Sequence, residues 1–110
     1  MTDSSRQIVR QGLDHAHASA LPVLHARLAH HSPEVQALAS KCAEGILTCL
    51  RDLSESPGPN QAIQDALMRL IFSHADRELV AALREFAEVM NFYLMEARDR
   101  TRSAPERRDS

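Results

Sequence analysis

The sequence predicts an all-α fold, a small four-helix bundle-like domain. Three observations carry that expectation. Apolar residues recur at steps of three and four along most of the 110 residues, the spacing of one helix face. No stretch shows the strict apolar–polar alternation of a half-buried strand. Breakers are few: Gly occurs three times, and the strongest interruption is Glu55-Ser56-Pro57-Gly58-Pro59-Asn60. The length suits one domain, expected over 1–100, followed by a disordered polar tail over 101–110.

Helix 1 is expected from about 5 to 31, with Val9, Leu13, Ala16, Ala20, Leu24 and Leu28 as its buried stripe. Pro22 lies roughly opposite that stripe and kinks the helix or restarts it, since proline removes one backbone bond. Helix 2 starts at Ser32-Pro33-Glu34, which reads as N-cap, proline at N1 and an acidic first turn. It should span 33–54, burying Val35, Leu38, Cys42, Ile46, Cys49 and Leu53, with Ala39 and Leu50 widening the stripe.

Residues 61–99 contain no Gly or Pro, yet two stripes run through them. Ile63, Leu67, Leu70 and His74 form one; Leu79, Leu83, Phe86, Met90, Tyr93 and Ala97 form the other. At 100° per residue the stripes lie about half a turn apart, so one straight helix would aim them in opposite directions. Ser73-His74-Ala75-Asp76 matches a capping box. Helices over 61–73 and 75–99 follow; a continuous helix of about 57 Å, implying an intertwined dimer, is the alternative.

The net charge is −2. Residues 98–110 hold five Arg against three acids, or +2, which leaves −4 on the first 97 residues. An acidic body is a poor match for phosphate-driven DNA binding, and a short mixed-sign tail reads as solvated disorder and not as a nucleic-acid arm. The N-terminus lacks the basic start and apolar run of a secretory signal, and no apolar run is long enough to span a membrane. Cys42 and Cys49 would stand about 10.5 Å apart along one helix, too far for a disulfide. Unbridged thiols fit a reducing, cytoplasmic compartment.

Six His invite a metal-site reading, but no two of them have the i, i+3 or i, i+4 spacing that helical ligands need. His15, His25 and His30 are expected to be solvated; His17 and His74 fall within buried stripes. No His has the Lys and Gly neighbours of a phosphotransfer histidine. Both Cys sit on an apolar stripe, where a thiol is inert, and no strained nucleophile turn or Gly-rich phosphate loop is present. No cofactor, metal or catalytic residue is therefore expected, and the chain reads as a non-enzyme.

The informative departure is on helix 4. Phe92 and Met95 lie off its core stripe, among Glu85, Glu88, Asn91, Glu96 and Asp99, with Val89 nearby. Only four residues are aromatic, so one placed outside the core stands out as a contact residue. On helix 1, Ile8 and Leu21 widen the stripe beyond what one core needs. Val89, Phe92, Met95, Ile8 and Leu21 are thus the candidate partner or dimer interface, and a homodimer is expected.

In length, all-helical pattern, Arg-, Ala- and Leu-rich composition and lack of a catalytic motif, the chain resembles the small helical antiactivators of bacterial quorum sensing. That resemblance implies a cytoplasmic dimer that binds a LuxR-type transcription activator, masks its dimerisation surface and so releases it from DNA. A secretion chaperone or other helical adaptor is the alternative.

Overall fold

The computed structural model describes residues 3–56, 58 and 60–109, with side chains described from 6 to 100 except at 57 and 59. Four helices follow in order: α1 (Asp3–Arg27), α2 (Pro33–Glu55), α3 (Gln61–Phe72) and α4 (Arg77–Asp109). The described residues contain no strand.

α1, α2 and α4 pack mutually, and α3 lies mainly against α2. α1 and α2 form an antiparallel hairpin pinned by Arg10–Glu55, at 2.5 Å, and Arg51–Asp14, at 2.6 Å. α4 runs back along α1, so that Gly12 near one end meets Ala97 and Arg27 at the other pairs with Glu85. A Cβ on Gly12 would lie 3.4 Å from that of Ala97, which marks a close approach of the two backbones. The core follows directly. All six stripe residues expected on α1 are buried, from Val9 to Leu28. They meet Leu79, Leu83, Phe86, Met90 and Ala97 of α4, joined by Ala82 and Leu94.

Several expectations need correction. α1 passes through Pro22 as one helix and stops at Arg27, before the expected 31. Its chain turns there because Leu28 must remain buried while Ser32 sets up the next helix. The Leu28 carbonyl accepts from both the His31 N–H and the Gln36 side chain, which closes the turn. On α2 the buried face is centred on Ala39, Ala43, Ile46 and Leu50. Leu38 is exposed, lying about 100° round α2 from the centre of that buried face. On α3 only Ile71 is buried; Leu67 and Leu70 are half-buried against the core, since one short helix laid on the bundle's outside has a single shallow contact face. Leu70 meets α2 at Gly45, where an added Cβ would come within 2.8 Å of a leucine methyl.

The break between α3 and α4 is present, with a different cap from the one expected. Ser73 closes α3, its N–H bonding to the Arg69 carbonyl. Asp76 opens α4: its Oδ1 accepts from the N–H groups of Glu78, at 2.9 Å, and Leu79, at 3.2 Å. The other oxygen of Asp76 lies 3.3 Å from His31, whose second ring nitrogen reaches Glu78 at 2.9 Å. The start of α4 is therefore tied to the α1–α2 turn. α4 is helical to Asp109, past the expected end near 99; the side chains of the tail over 101–110 lie outside the described residues.

Asp76→Ala removes the cap and one of the two carboxylates at His31. The expected outcome is a loss of about 1–2 kcal/mol in urea-unfolding stability with helical content retained. An unchanged unfolding midpoint would show that α4 starts without it.

Candidate interaction surface

Two helices of a bundle leave a groove on each side of their contact. α2 fills one side of the α1–α4 contact, and no described element covers the other. Two hollows lie along that open side. One, of about 240 Å³, is bounded by Ala20, Val23 and Leu24 of α1 and by Glu85, Phe86 and Val89 of α4. The other, of about 370 Å³, is bounded by Ile8, Gly12 and His15 against Glu96, Ala97 and Arg100. Tyr93 borders both, so the hollows form one trough along the helix pair.

Three exposed apolar residues line this trough: Ile8 and Val89, each at 43%, and Val23 at 65%; Phe92, at 61%, and Met95, at 57%, are exposed farther round α4 and line neither hollow. Of the five residues expected to form an interface, Ile8 and Val89 line the trough, and Phe92 and Met95 are exposed on the outer side of α4, about 60° and 120° round the helix from Val89. Leu21 does not join them. It is half-buried and packs against the core on the flank of α1 turned away from the trough. Val23 belongs to the face and escaped notice because it follows Pro22, where the expected kink obscured the helix register. Its angular position, within about 60° of Ile8 on a continuous helix, was the available signal.

The face is held in shape from below. The Phe92 ring meets Tyr93 edge to face at 6.2 Å, and His15 meets Tyr93 in the same manner at 6.5 Å. Single exposed apolar residues are common, but Ile8, Val23 and Val89 line one trough, and exposed Phe92 packs on the Tyr93 that borders both of its hollows, an arrangement of the sort that marks contact sites. A second, smaller exposure is on α3, at Met68 and Phe72.

The histidines are mostly structural. His25, expected in solvent, instead lies between Gln36 Oε1, at 2.6 Å, and Ser40 Oγ, at 2.7 Å, fastening α1 to α2. His17 packs edge to face on Phe86, and its Nε2 has no hydrogen-bond partner. His74 Nε2 donates to the Leu70 carbonyl at 2.8 Å and lies 3.6 Å from Cys42 Sγ. His30 is exposed. Among the described residues, no group of three or more His, Cys, Asp or Glu is arranged to hold a metal ion.

Both cysteines are free. Burial pushes each thiol above the ordinary cysteine range; Lys41 partly offsets this at Cys42, and Asp52 adds to it at Cys49. A raised folded-state value keeps the thiols neutral, so their contribution to stability is intact below the unfolded thiol value. It is lost as pH rises through the folded one. Both thiols should therefore react slowly with a disulfide reagent at pH 8, Cys42 slower than the half-buried Cys49, and become fast in denaturant. Rapid labelling of Cys42 in the folded chain would overturn its placement.

No described helix is long and apolar enough to cross a membrane. No family model, curated protein or solved structure matches this chain.

Proposed function

We propose that this chain is a non-enzymatic regulatory protein that acts by docking on another protein through the α1–α4 face. The observation that carries the reading is the trough between α1 and α4, which no described element covers, with exposed Ile8, Val23 and Val89 along it and exposed Phe92 adjoining its central Tyr93. A trough between two rigid helices, with an aromatic residue at its centre, suits a helix-in-groove contact.

The partner implied by the resemblance is a LuxR-type transcription activator. In that mechanism the chain acts as an antiactivator. Its α1–α4 face occupies the surface by which the activator pairs with itself, and the unpaired activator loses its grip on DNA. The acidic residues around Phe92 favour this indirect route, because they would repel the DNA phosphates themselves. A cytoplasmic site of action follows from the same mechanism.

The test is retention of LuxR-type activators by the immobilised full-length chain, followed by measurement of the activator's DNA binding. Phe92→Ala combined with Met95→Ala should reduce capture at least tenfold while circular dichroism stays unchanged. Failure of the unaltered chain to bind any such activator would remove the antiactivator reading. Equal capture by the double variant would remove the face.

A further inference from the structure

We infer that the α1–α4 trough binds a single-chain zwitterionic amphiphile, with the alkyl chain in the first hollow and the head group in the second. This occupant is independent of the docking reading and goes beyond it.

The two hollows differ in chemistry. The first is walled by apolar side chains, Val23 and Leu24 from α1 and Phe86 and Val89 from α4. Ala20 and Ala82 also line it, and their short side chains leave depth between the helices that larger ones would fill. Arg27 and Glu85 stand at the same hollow but pair with each other, so neither charge is left for a ligand. An alkyl chain lying there leaves water and strands no charge.

The second hollow is polar. Gln11 and His15 line it from α1, one helical turn apart, and Glu96 and Arg100 line it from α4, again one turn apart. Gly12 and Ala97 lie between these walls, where the two backbones approach closely. Glu96 four residues before Arg100 is the favourable order for an ion pair along a helix. Yet neither forms an ion pair, with the other or with any other described residue. Two opposite charges one turn apart are thus both open to the hollow.

A head group that carries both signs matches this pair. Its anion meets Arg100, with the N–H groups of His15 and Gln11 as further donors, and its ammonium meets Glu96. A purely anionic head would stand against Glu96, and a purely cationic one against Arg100. Tyr93 borders both hollows, braced edge to face by His15 and Phe92, and marks where chain and head join. At about 240 and 370 Å³, the joined hollows reach the size of small-molecule sites, about 300–1,000 Å³. A ligand seated there covers Ile8, Val23 and Val89, and so competes with any protein that docks on this face.

The chain has one Tyr and no Trp, so its intrinsic fluorescence reports on Tyr93 alone. The probe is dodecylphosphocholine, titrated into the full chain below its micelle-forming concentration. A saturable change in Tyr93 emission, matched by a saturable heat in calorimetry, is expected. Val23→Asp sets a charge in the alkyl hollow, and Arg100→Gln removes the partner of the anion. Each should weaken binding about tenfold or more. Both positions are exposed, so circular dichroism should stay unchanged. Glu96→Gln leaves only the cation, and should make dodecanoate bind more tightly than dodecylphosphocholine. No saturable signal, binding to micelles or phosphatidylcholine vesicles only, unchanged affinity in Arg100→Gln, or an unaltered head preference in Glu96→Gln would each overturn the inference. Ligand binding by a chain that captures no LuxR-type activator would uphold it and remove the antiactivator reading alone.

Discussion

The close antiparallel contact of α1 with α4 is the constraint on which the rest of the structure depends. These helices stand at opposite ends of the sequence, so no short loop holds them together. Burial does. Val9, Leu13, Ala16 and Ala20 supply a narrow stripe on α1, and Gly12 lets α4 approach to Ala97. The small residues bring the backbones close, and the larger Leu24, Leu28, Leu79 and Phe86 fill the space where the pair widens. Burying a leucine-sized side chain contributes about 1.5–3 kcal/mol, so the summed burial far exceeds the one ion pair seen at the Arg27–Glu85 end.

Local devices then fix the register of that contact. The Ser32 cap and Pro33 start α2, and the Asn60 side chain starts α3 by accepting from Ile63. Asp76 does the same for α4 while reaching His31. Each polar group at these junctions satisfies a helix-terminal N–H that would otherwise lack a partner. The linked turn at His31, Asp76 and Glu78 sets how far α4 slides along α1. It thereby sets which α4 residues stand beside Ile8, His15 and Val23.

The same contact produces the open trough. α2 lies on one side of the α1–α4 pair and carries α3 on its own outer flank. The opposite side is left with a trough and exposed apolar side chains. A chain with few aromatic residues gains by placing them in the core, and the exposure of Phe92 forgoes that gain.

Periodicity alone determined the helices and most of the core. The α1 stripe was legible because its six members keep strict helical spacing, and the opposed stripes within 61–99 required a break. The off-stripe positions of Phe92 and Met95 were legible for the same reason. Tertiary structure decided what a single helix cannot encode: which flank of each stripe finds a neighbour. Leu38 and Leu21 have similar apolar character, yet Leu38 stays exposed and Leu21 packs on the core. His25 looked like a solvent residue until α2 brought Gln36 and Ser40 to it. Val23 became part of the face only when α1 ran unbroken through Pro22 and placed it opposite Val89 across the trough. Hydrophobic spacing specifies a helix and its buried side, whereas the partner that buries each side depends on contacts between residues far apart in the chain.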